Sequence, residues 1–292
     1  MAIPKVFPIQ ARWFLLLLFL PWFWDPMQLA FDIYIVSKVA NTYPNGIIPD
    51  YIFDFSYYFF NAARMIALAV LLALITRTSL LSFCSLFKSQ MVMPSIEITA
   101  FTFVASGALI YLTFYPLAFV IPSFIEYWFI NTPPIVYVTD GTLLFWPNIL
   151  SFISLCVLTP ITEELVFRGI LLQRWGSKYN SKVAIILSSA IFASLHTDPL
   201  GAFLFGVLMC YLTICSKGIL LPIFCHALYN ASVWGISFTE HFFDPYFTYT
   251  LTDFKGDWLY GIAYVVITLV WGLRLQAKLP KMNTWKIPVL YR

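Results

Sequence analysis

The sequence predicts an all-α fold: a polytopic transmembrane helical bundle of about eight spans, with residues 1–292 forming a single membrane domain. Three observations predict it. The 292 residues are 61% hydrophobic and only 11% charged, with 29 Phe, 17 Tyr and 10 Trp. Mean hydropathy is +0.82, more apolar surface than a soluble core can hide. The apolar residues fall in runs of about 20, the length that crosses ~30 Å of hydrocarbon. The chain carries no internal repeat, no low-complexity tract and no linker that would mark a second domain.

In chain order the expected spans are 12–34, 55–76, 97–121, 146–173, 183–197, 199–216, 219–238 and 257–277. Lys5 and Arg12 before the apolar run Trp13–Phe23 resemble a signal peptide. The following Pro21-Trp22-Phe23-Trp24-Asp25-Pro26 offers no small-residue cleavage site, so this run is expected to stay as the first span. Asn61 and Arg64 sit one turn apart inside the second. Segment 122–145, with Pro122, Pro133, Pro134 and Gly141, reads as a long outer loop with an interfacial piece at Glu126–Ile130. The fifth and sixth spans are short, and the Thr197-Asp198-Pro199 turn between them lies within or near the outer interface. Glu240–Asp257 is a second outer loop. Phe53–Phe60 and Phe242–Tyr249 read as aromatic belts at the interface. The final Val289-Leu290-Tyr291-Arg292 carries no lipidation signal, so the protein is not expected to be a prenylation substrate itself.

Charge sets the orientation. Leaving aside Arg64 and Arg168 inside spans, 13 of the 17 lysines and arginines fall on one set of loops, and only Lys38 and Lys255 fall on the other. By the positive-inside rule both termini are cytoplasmic. The net charge of +3 is too small and too scattered for nucleic acid. Cys84, Cys156, Cys210, Cys215 and Cys225 sit mostly in apolar runs without a CxxC and read as buried small hydrophobes.

The chemistry concentrates between residues 159 and 234. Glu163, Glu164 and Arg168 lie in an otherwise apolar run, where a charge at mid-bilayer costs about 2.5–3.5 kcal/mol. Glu164 and Arg168 are one helical turn apart and can pair. Glu163 points about 100° away and stays the freer carboxylate. His196 ends a second apolar run. His226 and Asn230 share one face of a third. Counting residues from the flanking Arg174, Lys182 and Lys217 puts Glu163, His196, His226 and Asn230 at depths of about 14–21 Å. Polar groups from three spans at one depth can satisfy one another only by meeting inside the bundle, in a shared wet cavity. A carboxylate beside an imidazole can deprotonate a water, and an imidazole and a carboxamide can donate to an oxyanion. Those are the parts for attack of water on a carbonyl. Spacing alone leaves open which group takes which part.

The three motifs Glu163-Glu164-x-x-x-Arg168, Phe192-x-x-x-His196 and His226-x-x-x-Asn230 resemble those of the CPBP family of intramembrane glutamic proteases. That family includes the type II CAAX prenyl endopeptidases and the bacterial Abi proteins. Gly169 after the arginine also fits, and the resemblance covers about 159–234. It implies an eight-span helical bundle and a metal-independent endopeptidase without a cofactor. It implies that Glu163 and His196 activate the water, that His226 and Asn230 stabilise the oxyanion, and that Glu164 and Arg168 help hold the site. The implied partners are the lipid bilayer and a membrane-associated peptide or protein cut near its C-terminus, with lipidated and C-terminally anchored substrates both candidates. The compact length leans towards a prokaryotic cytoplasmic membrane.

Each residue also has a structural reading. Glu164–Arg168 can be a plain ion pair, Phe192 plain packing, His226 and Asn230 helix-to-helix glue, and His241 a solvated loop residue. Cys225 beside His226 suggests a thiol protease, but neighbours on a helix point apart. Two Glu and two His could bind zinc, without the HExxH that a helical site would use. A transporter or proton relay, or a non-catalytic immunity or scaffold protein of the same fold, are the competing functions.

Overall fold

Among the described residues, eight helices overlap the expected runs in the computed structural model, which describes residues 21–39, 50–76, 89–278 and 285–288; residues 12–20 of the first run lie outside them. They are α1 Pro21–Val39, α2 Asp50–Thr76, α3 Val92–Val120, α4 Phe145–Lys178, α5 Ser181–Ser194, α6 Pro199–Ser216, α7 Leu220–Phe243 and α8 Trp258–Lys278. Lys5, Arg12 and Cys84, on which the reading of the first span, the orientation and the cysteines partly rests, lie outside the described residues. Among the described helices α3, α4, α6 and α8 are long and apolar enough to cross a bilayer, and α5 is a shorter apolar helix. At 14 residues, α5 reaches about 21 Å, so the turn after it sits short of the far surface. The chain is an integral membrane protein with an all-α fold.

Packing explains the order. α6 lies against α5, α3 and α7, and α8 packs along α3. α1 packs on α2, and α2 on α4. The central core joins Phe167, Phe192, Phe205, Met209 and Leu212 from α4, α5 and α6. α8 instead exposes Leu259, Ile262, Val266, Leu269 and Leu273. A helix with so much uncovered hydrocarbon faces lipid.

α5 and α6 approach closely because Gly206 has no side chain. A Cβ there would lie 2.9 Å from the Cβ of Ser189. Small residues at a crossing are how membrane helices gain contact without a hydrophobic drive between them.

The 122–145 segment is more ordered than a plain loop. Pro122–Ile125 is one α-helical turn and Glu126–Ile130 a π turn. Val138–Thr139 (β1) pairs antiparallel with Thr142–Leu143 (β2). Asp140 and Gly141 join them with φ of 49° and 72°, the positive pair that a two-residue hairpin turn demands. Asn148, buried in the first turns of α4, holds the hairpin: its Oδ1 accepts from Tyr137 N at 2.8 Å and its Nδ2 donates to Tyr137 O at 2.9 Å. Cys156, Cys210 and Cys225 are buried as expected, but Cys215 is exposed near the end of α6.

Candidate active site

α4 is not a uniform helix. Its α-helical turn Thr159–Glu164 is flanked by π segments at Ile153–Leu158 and Leu165–Leu171, a break that often accompanies functional sites. Pro160 explains what the first break exposes. Thr159 N donates to Ser154 O in the π pattern, and Pro160 has no N–H to give to the next carbonyl, Leu155. Leu155 O takes its hydrogen bond from another helix instead: Asn230 Nδ2 donates to it at 2.8 Å. The missing proline proton therefore ties α7 to α4 beside Glu163.

Glu164 is fully buried and its Oε1 accepts twice, from Arg168 Nη1 at 2.8 Å and from His226 Nδ1 at 2.8 Å. Arg168 is also fully buried. Its Nη2 lies 3.4 Å from Gly206 O, and its guanidinium sits 4.6 Å over the Phe192 ring. The close α5–α6 crossing at Gly206 thus also supplies a carbonyl to the arginine. Charge-assisted bonds of this kind are short and strong, and they carry the desolvation cost of a buried ion pair.

His196 follows the last turn of α5. Its Nδ1 donates to Phe192 O at 2.8 Å, and its ring stacks on Phe192 with centroids 4.3 Å apart. The carbonyl can only accept, so Nδ1 carries the proton and Nε2 is left to the cavity. The Phe-x-x-x-His spacing has this local cause: the fourth residue back supplies both a carbonyl and a ring face. Phe192 also meets His226 edge-on at 6.0 Å. It is the hub between Arg168, His196 and His226, well beyond the plain packing its sequence context suggested.

Glu163 is only partly buried. Its Oε2 has no hydrogen-bond partner and faces His226 Nε2 at 3.8 Å. A gap that long is not a direct hydrogen bond, and it suits two groups that share a third. Glu163, His196, His226 and Asn230 all line one cavity of about 460 Å³, with Phe192, Asp198, Phe205 and Trp234 among the other walls. The four residues placed at one depth by counting are thus brought together. Glu163 makes its close approach to His226 and forms no ion pair with His196. Asp198 caps α6, accepting from Gly201 N at 3.1 Å. Trp128 in the π turn donates to Thr197 O at 3.0 Å, so the interfacial piece clamps the turn next to His196. Arg64 stays out of the cavity lining; it donates to Asn61 Oδ1 at 2.6 Å, and Asn61 donates to Ser154 Oγ at 3.0 Å. Among the described residues no group of three or more His, Cys, Asp or Glu is placed to hold a metal ion. Pro160 and Gly206 were the positioning residues that charge counting passed over. A proline just before the acids and a glycine in the facing helix were the signals available.

Residues 145–232 match the family described as Rce1-like, type II CAAX prenyl endopeptidase Rce1-like. A relative in Escherichia coli, an uncharacterized 24.3 kDa protein, is 30% identical over 98 residues, which is 31% of this chain. The chain spans 44% of the length of that curated relative. No solved structure matches. The matched segment holds all three polar motifs, and over it the chain is similar to the Rce1-like family of type II CAAX prenyl endopeptidases.

Proposed function

We propose that this protein is a glutamate-dependent intramembrane endopeptidase that hydrolyses a peptide bond near the C-terminus of a membrane-associated substrate. The observation that carries the reading is the unpartnered Glu163 Oε2, 3.8 Å from His226 Nε2 in a cavity shared with His196 and Asn230. Glu163 takes a proton from water as the water oxygen bonds to the carbonyl carbon. His196 orients that water through Nε2. The carbonyl oxygen becomes an oxyanion and accepts from His226 Nε2 and from the second N–H of Asn230, whose first is spent on Leu155 O. Glu163 then passes its proton to the amine nitrogen, and the C–N bond breaks.

Charge balance supports this division of labour. With Nδ1 given to Glu164 and Nε2 given to substrate, His226 acts as an imidazolium. Glu164 then offsets one of the two cations, Arg168 and His226, and Glu163 the other. The cluster is neutral overall, which a low-dielectric interior favours.

The test is cleavage in membranes of farnesylated CAAX-type peptides and unmodified C-terminal peptides by wild type, Glu163→Gln and His226→Ala. Loss of cleavage in both variants at unchanged melting temperature supports the reading. Undiminished cleavage by Glu163→Gln overturns it.

A further inference from the structure

Three N–H-bearing side chains stand in a row on α7. His226, Asn230 and Trp234 are spaced four residues apart, so they share one face and rise about 6 Å per step. All three line the cavity. His226 is engaged with Glu164, and Asn230 with Leu155 O. Trp234 is not engaged: its Nε1 is buried and meets no acceptor. Its ring is held, edge-on to Phe152 at 5.1 Å and stacked on Phe238 at 4.9 Å. A buried N–H without an acceptor is rare enough to need a reason. Here the cavity wall it belongs to is the one that meets substrate.

Spacing says which acceptor fits. An extended peptide advances about 3.4 Å per residue, and its carbonyls point the same way at every second one, so same-side carbonyls recur every ~6.8 Å. A helical turn of donors recurs every ~6 Å. We infer that the substrate lies extended along α7, with the scissile carbonyl at His226 and Asn230 and the carbonyl two residues away accepting a hydrogen bond from Trp234 Nε1. The inference rests on the endopeptidase reading and adds a main-chain subsite to it. Main-chain recognition of this kind tolerates varied side chains. It also requires a helical substrate to unwind at the cut, because helical carbonyls are already bonded within their own chain.

The experiment uses the purified full chain in micelles and a farnesylated CAAX-type peptide with a fluorophore and quencher across the cut. Trp234→Phe keeps the ring and removes the N–H. KM is expected to rise about tenfold, the size of one lost hydrogen bond, with kcat falling much less, the mark of a binding contact. In parallel, each substrate carbonyl is replaced in turn by a methylene and tested on wild type, which needs no folded variant. A loss at the second carbonyl from the cut, smaller losses at its neighbours, and no added loss in Trp234→Phe support the subsite. Unchanged KM in Trp234→Phe, or a flat methylene scan, overturns it while leaving the protease reading intact. Absence of cleavage by wild type overturns both together.

Discussion

Adjacent glutamates on α4 have opposite duties, and they should respond oppositely to substitution. Glu164 Oε1 holds two donors at 2.8 Å, whereas Glu163 Oε2 holds none. Glu164→Ala strands a buried arginine and a buried histidine, and breaking a buried pair this way costs about 3–5 kcal/mol. Glu163→Gln removes no bonded partner and should leave the melting temperature near wild type while abolishing cleavage. Thermal unfolding in micelles beside the cleavage assay checks both; a Glu163→Gln protein that melts far below wild type would mean its carboxylate is structural. Arg168→Lys keeps the charge but loses the flat guanidinium over Phe192 and the reach to Gly206 O, so it too should lower stability despite being nominally conservative. At this scale much was legible in the sequence, because ionisable groups in hydrocarbon are too costly to be incidental. The service of Phe192 to three site residues was not legible. An aromatic in an apolar run looks the same whether it packs or positions.

Two breaks in regularity set the helices that carry these residues. Pro160 leaves Leu155 O for Asn230, and Gly206 lets α5 and α6 close up. Gly206→Ala would put a Cβ 2.9 Å from the Ser189 Cβ and 3.0 Å from its Cα. Overpacking of that kind costs about 1–3 kcal/mol, and it should also draw Gly206 O away from Arg168. Ser189→Gly in the same protein should recover part of the lost stability, because the two sites touch and are therefore coupled. A Gly206→Ala protein that melts like wild type would show that the crossing has slack. Helix existence was readable from the apolar runs. The π segments were not, because their surroundings are tertiary: the first packs on α2 and α7 and the second on α5 and α6. The hairpin at Asp140-Gly141 had its signal in the dipeptide itself; Pro122, Pro133, Pro134 and Gly141 together were what made the region read as loop.

Most of the cations outside the spans, among the described residues, lie at one end of the molecule. The last turn of α8 reaches back to the start of α3, where Lys278 Nζ lies 3.1 Å from Glu97 Oε1. Trp285, beyond α8, packs on Tyr211 of α6 with centroids 4.9 Å apart, and Ile287 abuts Gly176 near the end of α4. The end of α4, the end of α6, the start of α3 and the chain after α8 therefore share a side, and that side holds Arg174, Lys178, Lys217, Arg274, Lys278 and Lys286. The opposite side holds the hairpin and the 244–257 segment, rich in aspartate, which was expected as plain loop but forms a short helix at Leu251–Gly256 capped by Thr250 and Asp253. Lysine and arginine bias sets orientation during insertion, so the basic end should be cytoplasmic. Single cysteines test this in a Cys84→Ser, Cys215→Ser background, which removes the one thiol exposed among the described residues and the one that lies outside them. Ser177 and Thr248 are exposed at opposite ends. In intact cells a membrane-impermeant maleimide should label Thr248→Cys at once, and Ser177→Cys only after permeabilisation. The reverse pattern would place the basic end outside. It would also turn α7 over, so that a substrate with a cytoplasmic body would meet Trp234 before His226. Orientation thus decides which side of the scissile bond supplies the second carbonyl, and the labelling result and the methylene scan must agree on it.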